Sequence, residues 1–194
     1  MYDIILASKS PRRSELLTQI GIDFKVMVSE KEELVTSSIP GDVVMELSLQ
    51  KANDVMEMYN EKEHNDKYII IGADTVVAVD DKILGKPKDD EDALNMLTSL
   101  SGRAHGVYTG VTLIIGNGES VTKDTFFVKT DVYMYKNSKA ELLDYIATKE
   151  GNDKAGSYGI QGIGARLVEK IEGDYNNVVG LPISAIYNRI KDYI

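Results

Sequence analysis

VYTGVTLIIGNGESVTKDTFFVKTDVYMY, residues 107–135, is the stretch on which the fold depends. Its arms, Val107 to Ile115 and Ser120 to Tyr135, are rich in β-branched and aromatic residues, and Asn117-Gly118 between them is the dipeptide of a type I′ hairpin turn. Strands joined so tightly run antiparallel, which argues against a wholly parallel sheet. Toward the N-terminus, Ile4 to Ala7 reads as a short buried strand, and Ser10-Pro11 opens a helix that runs to about Ile20 and stops at Gly21. Phe24 to Val28 reads as a second strand. A helix capped by Asp42 covers about Val43 to Met58, followed by a solvated loop from Asn60 to Lys67. Tyr68 to Ala73 is a strand ending at Asp74, Val76 to Val79 and Lys82 to Leu84 flank an Asp80-Asp81 turn, and Asp89 to Asp92 load the first turn of a helix ending near Leu100. Toward the C-terminus, Ser138 and Glu141 form a capping box for a helix to about Thr148. A glycine-dense stretch from Gly151 to Gly164 follows, then a strand at Arg166 to Ile171, a turn at Gly173-Asp174, and a last helix from Pro182 with Ile183, Ile186, Tyr187 and Ile190 on one face. Strands and helices alternating around an antiparallel hairpin predict an α/β fold, a mixed β-sheet with flanking helices.

Composition narrows the chemistry. With 194 residues, 43% hydrophobic, the chain suits one globular unit or two closely joined lobes. Lys plus Arg number 22 against 31 Asp plus Glu, a formal charge of −9, so neither nucleic acid nor an anionic membrane is an expected partner. An anionic ligand must then be held by a local cationic cluster. Cysteine is absent, which removes disulfides, zinc-thiolate sites, iron–sulfur clusters and thiol nucleophiles. Histidine occurs only as His64 and His105, so a bound metal would be a hard ion held by carboxylates. The N-terminus lacks the pattern of a signal peptide and no apolar run approaches a membrane span, so a soluble, cytoplasmic protein is expected.

Leu6 to Arg13 is the richest local signal. Two of the five arginines stand side by side in the first turn of a helix, where the macrodipole disfavours cations. A bound anion explains them, with Ser8, Ser10, backbone N–H groups and the guanidinium forks of Arg12 and Arg13 gathered around phosphate; solvent exposure or pairing with acids on another element is the plainer reading. Lys51 falls on the apolar arc of its helix and points toward the body of the protein, either as a functional cation or with its stem lying along the core and its ammonium reaching water. Asp74 closes the apolar run Ile69 to Ala73, where α/β proteins place reacting groups. A buried carboxylate needs a partner or a metal, and Glu30, Glu32 or Glu33 could supply a second carboxylate. Lys86 is a charge on a constrained turn between Gly85 and Pro87. The run Asp153 to Gly162 does not follow a strand and open a helix, so it is not a dinucleotide fingerprint; its glycines could admit a ligand close to the backbone, with Tyr158 as a stacking ring and Gln161 as a polar reader. His105 titrates in a range suited to a base, although a lone loop histidine is more often structural.

The set Ser8-Lys9-Ser10-Pro11-Arg12-Arg13, Lys51-Ala52, Gly72 to Val76, Gly85-Lys86-Pro87, Ser101 to His105, Asp153 to Gly162, and Gly173-Asp174-Tyr175 with Gly180-Leu181-Pro182 resembles the Maf family of nucleoside triphosphate pyrophosphatases, in family order over nearly the whole chain. The resemblance implies one Maf-like domain over residues 1–194, with two lobes around a cleft on a mixed sheet as in the inosine triphosphatase group. It implies that Asp74 acts in catalysis, as metal ligand or proton acceptor, with Glu33 as partner carboxylate for Mg²⁺ or Mn²⁺. Ser8, Arg12, Arg13, Lys51 and Lys86 would hold the triphosphate. Arg12, Thr75 and Gln161 together resemble the branch acting on dTTP and UTP, whereas the 7-methyl-GTP branch has Gln at the position of Thr75. A homodimer is left open. The rival readings are a nucleotidyltransferase, whose leader would want glycines where Ser8 and Ser10 stand; a haloacid-dehalogenase-type phosphatase, which would want Asp where Val76 stands; and a nucleotide-binding regulator of cell division without turnover.

Overall fold

The computed structural model describes residues 1–62, 65–80 and 82–194, so His64 and Asp81 lie outside the described residues, as does part of the expected 60–67 loop. In chain order the elements are β1 (Asp3–Ala7), α1 (Pro11–Gln19), β2 (Lys25–Val26), α2 (Pro40–Lys62), β3 (Lys67–Val79), β4 (Lys82–Leu84), α3 (Asp90–Leu100), β5 (Ala104–Asn117), β6 (Val121–Met134), α4 (Lys139–Ala147), β7 (Val168–Glu172), α5 (Tyr175–Val179) and α6 (Ile183–Ile190), with 3₁₀ turns at Ala155–Ser157 and Gly162–Leu167. One mixed sheet runs β2-β1-β3-β5-β6-β7, with β4 also paired to β3. β1 is parallel to both of its neighbours, and the remaining pairs are antiparallel.

The central hairpin forms as read, but its turn differs. Asn117 N–H bonds to the Ser120 carbonyl, so Gly118 and Glu119 are the central residues, and of these only Gly118 has positive φ, at 90°. That is the pattern of a II′ turn rather than a I′ turn centred on Asn117-Gly118. The Asn117 side chain closes it by accepting from the Glu119 and Ser120 N–H groups.

A second difference creates the cleft. Asp74 does not end a strand; β3 runs through it, because the ladder to β5 continues unbroken from Lys67↔Asn117 to Ala78↔Gly106. On the other edge of β3 the pairing is interrupted. β1 stops at Ala7↔Gly72 and β4 begins only at Val77↔Leu84, so among the described residues Ala73 to Val76 have no strand beside them on that edge. Alternation then sends Asp74 to one face of the sheet and Thr75 to the other.

The Asp74 face is covered by α2, whose Val43, Val44, Leu47, Ala52, Val55 and Tyr59 pack on Ile5, Ile70, Val76 and Ile114. The helix lies so close that a Cβ on Gly72 or Gly110 would stand 2.4 Å or 2.1 Å from the Ser48 or Val44 carbonyl oxygen. The opposite face carries two apolar clusters. One joins α1, α6 and β1 through Leu16, Leu17, Ile183, Ile186 and Ile190; the other joins α3 and α4 through Leu97, Leu100, Leu142 and Tyr145. These are the two lobes, and the cleft opens between them at the gap in β3.

Smaller departures have local causes. α2 begins at Pro40, which leaves Asp42 inside the first turn instead of capping it. β2 shrinks to two residues, since it pairs only with β1. Asp174 accepts from the Asn176 and Asn177 N–H groups and so caps the short helix α5, which periodicity over five residues cannot reveal. On α6, Tyr187 is 44% exposed while Ile183, Ile186 and Ile190 are buried. The capping box of Ser138 with Glu141 is as read, whereas Asp89, read with the first-turn acids, is the N-cap of α3 and leaves Asp90, Glu91 and Asp92 in the first turn.

Candidate active site

The gap in β3 exposes polar backbone at the level of Ala73, and the end of β1 delivers α1 to it. The Arg13 guanidinium fills the gap: Nη1 donates to the Ala73 carbonyl at 2.8 Å and to Ser8 Oγ at 3.0 Å, Nε to the Gly180 carbonyl at 2.9 Å, and Nη2 to Thr75 Oγ1 at 3.1 Å. Four of its five N–H groups are thus used by the protein, and burial, partly opposed by the charge of Asp74, holds its pKa below the usual arginine value. Arg13 therefore serves mainly as framework. Ser8 Oγ accepts from both Arg13 and the Ser10 N–H, so its lone pairs are used and its O–H remains to donate to a ligand. Ser10 stands at the N-cap of α1 without a side-chain cap, which leaves first-turn N–H groups for an anion.

Arg12 projects across the cleft, where Nη1 meets Asp153 Oδ2 at 2.9 Å. Lys154 Nζ holds the other oxygen of that carboxylate at 2.8 Å. Burial pushes the Asp153 carboxyl up, but the hydrogen bonds and charges of Lys154 and Arg12 outweigh it and bring its pKa down to about 2. Asp153 and Lys154 were not singled out in the sequence as site residues; their link to Arg12 spans 141 positions of chain.

On the α2 side, Lys51 Nζ lies 2.5 Å from Asp74 Oδ1 and 3.1 Å from Glu33 Oε1. The ammonium thus turns to carboxylates in the cleft instead of reaching bulk water past the core. The segment carrying Glu33 is laid along α2 by Gln50, whose amide accepts from the Leu34 N–H at 2.9 Å and donates to its carbonyl at 2.6 Å. Of the three nearby acids it is Glu33 that reaches Lys51. Two carboxylates converging on one cation position fit a hard divalent ion, which takes one or two carboxylates and completes its shell with phosphate and water oxygens. Among the described residues, no group of three or more His, Asp or Glu gathers around a metal position.

All nine residues read from the sequence as site residues line one cleft of ≈ 790 Å³, within the range of small-ligand sites. Lys86 stands exposed after β4, and Gln161 is exposed on the glycine-rich wall. Thr75 is less available than the sequence implied: its hydroxyl meets Arg13, Thr109 Oγ1 at 2.9 Å and the Gly180 carbonyl at 3.4 Å. His105 is not in the cleft. It is 3% exposed, its Nε2 is 2.6 Å from the Tyr158 hydroxyl, and burial lowers its pKa to about 4, so it is a neutral core residue and not a base. Tyr158, by contrast, forms part of the cleft wall.

The family model described as Maf-like protein matches residues 3–193. A dTTP/UTP pyrophosphatase of Agathobacter rectalis is 50% identical over 98% of this chain and 97% of that protein. The chain belongs to the Maf family. Other relatives named dTTP/UTP pyrophosphatase, from a Thermoanaerobacter species and from Bacillus thuringiensis, are 50% and 48% identical over 97% and 100% of this chain and 95% and 96% of their own. Among solved structures, a HAM1 protein from Coxiella burnetii superposes with TM-score 0.51 at 14% identity, covering 87% of this chain and 81% of that one. That likeness places this Maf chain in the same two-lobed mixed-sheet fold.

Proposed function

We propose that this protein hydrolyses dTTP and UTP between the α and β phosphates, releasing the nucleoside monophosphate and pyrophosphate. The observation that carries the reading is the meeting of Asp74, Glu33 and Lys51 at the β3 gap, in the same cleft as the uncapped start of α1 with Arg12. The cleft thus offers carboxylate oxygens together with cations and N–H donors, in a chain whose net charge is −9. In this reading water attacks the α phosphorus, a new P–O bond forms there, and the bond from the α phosphorus to the α–β bridging oxygen breaks, that oxygen leaving with the pyrophosphate. Asp74 takes the proton released by the water. Ser8 donates its O–H to the triphosphate, while Arg12, Lys51 and Lys86 offset the charge that grows on the departing pyrophosphate. Arg13 holds Ser8 and the Ala73 carbonyl in place for this. Asp74 and Glu33 would hold Mg²⁺ or Mn²⁺, which supplies charge neutralisation at the phosphorus and orients the water.

Base choice is assigned to the wall opposite Asp74. Gln161 is the exposed amide there, and Thr75 contributes through the Arg13 and Gly180 carbonyl contacts that its hydroxyl maintains. A kinetic panel of dTTP, UTP, ATP and GTP tests this. The pyrimidine nucleotides should be preferred in kcat/KM by about ten- to hundredfold, the worth of one unmet buried hydrogen bond. A purine triphosphate turned over fastest would defeat the substrate assignment.

A further inference from the structure

Gln161 makes no side-chain hydrogen bond within the protein among the described residues, so what aims it into the cleft is the shape of its backbone. That backbone is held on both sides by one pair of residues outside the cleft lining. Before Gln161, the Gly159 N–H donates to Tyr145 Oη at 3.1 Å. After it, the Ile163 and Gly164 N–H groups donate to Glu150 Oε2 and Oε1, each at 2.9 Å. The Tyr145 O–H closes the set by donating to Glu150 Oε1 at 3.2 Å. Tyr145 is fully buried on α4, a rigid base for the arrangement. The bend is tight: a Cβ on Gly164 would stand 2.2 Å from the Gly159 carbonyl oxygen. The Glu150 main-chain carbonyl accepts from Lys154 Nζ, which ties the same residue to the Asp153 and Arg12 side of the cleft.

We infer that Glu150 and Tyr145 are positioning residues for base selectivity, holding the 159–164 bend so that the Gln161 amide faces the nucleobase. The inference rests on the reading of Gln161 as the base contact, and it makes a distinction that a purely structural role does not. A carboxylate can accept from both N–H groups at once. In Glu150→Gln the amide NH₂ must face one of them, so the bend loosens on the C-terminal side of Gln161. Tyr145→Phe removes only the hydroxyl and loosens the N-terminal side.

The test is the ratio of kcat/KM for dTTP to that for ATP, measured with the melting temperature of each variant. Gln161→Ala should lower the ratio by about tenfold. Glu150→Gln and Tyr145→Phe should each lower it by roughly threefold or more, as partial loss of the same contact. The double variant Glu150→Gln with Gln161→Ala should be no less selective than Gln161→Ala alone, because the two act through one amide. If Glu150→Gln does not fold, Tyr145→Phe decides the matter. Wild-type ratios in both positioning variants, or a further loss in the double variant, would overturn the inference while the Gln161 reading stands. A wild-type ratio in Gln161→Ala itself would overturn that reading and the inference with it.

Discussion

Lys51→Met removes the cation that bridges Asp74 and Glu33, and the structure sets the size of the effect. The Lys51 and Asp74 side chains are 21% and 18% exposed with 2.5 Å between Nζ and Oδ1, and Glu33 at 3.1 Å is 47% exposed. Breaking a fully buried ion pair costs about 3–5 kcal/mol, and an exposed one under about 1 kcal/mol. A pair with about a fifth of each side chain in water falls between, at about 2 kcal/mol. For a chain of this length that lowers Tm by about 4–8 °C in metal-free buffer. Were Lys51 crowded only by Arg12 and Arg13, the same change would relieve repulsion and raise Tm. The variant also leaves two carboxylates facing one vacant cation position, so Mg²⁺ or Mn²⁺ should raise its Tm more than that of the wild type. Turnover should fall about 100-fold or more in kcat/KM, the usual loss when a charge-stabilising donor is removed. Thermal melts with and without cation, together with kinetics on dTTP, measure all three. An unchanged or higher metal-free Tm with normal kinetics would refute the reasoning and return Lys51 to a packing role.

Asp74→Asn keeps the side-chain shape but loses the charge; kcat should drop by two orders of magnitude or more, with the far-UV circular dichroism spectrum unchanged. Excess EDTA should abolish turnover and Mn²⁺ should restore it, as read by nucleotide monophosphate release. Stability should fall between pH 6.5 and 4 because burial holds the His105 pKa down to about 4. The unfolded chain protonates first, so stabilisation present above about pH 6.5 is lost as pH falls, by about 3 kcal/mol in all, and His105→Gln should flatten this part of a denaturation series. Further acidification from about pH 3.8 toward 2 then titrates Asp153 in the same direction, through a separate window.

What could be read in advance was whatever short-range patterning encodes. The hairpin arms, the start of α1 at Pro11 and the Ser138 and Glu141 capping box are local signals, and so is the pairing of arginines in a helix first turn. Asp74 was visible as a carboxylate against an apolar run, but the run hid the fact that β3 continues. Strand length is decided by the partner β5, whose register extends to Gly106. The division of labour between Arg12 and Arg13 was not legible at all, because it depends on where β1 stops and β4 starts. The same holds for Thr75, whose hydroxyl looks free in sequence and is engaged by groups from α1, β5 and the segment after α5. Glu150 carried no signal either, since its partners are backbone N–H groups of a bend that exists only once the chain has folded.

The central claim is that the cleft directs cleavage to the bond between the α and β phosphates, and product analysis tests it most directly. Purified protein should be incubated with dTTP and Mg²⁺, and its products separated by ion exchange with ³¹P detection. The account predicts dTMP and pyrophosphate in equal amounts, with no dTDP at any time. Orthophosphate with dTDP, or an intact nucleotide after prolonged incubation, would contradict it.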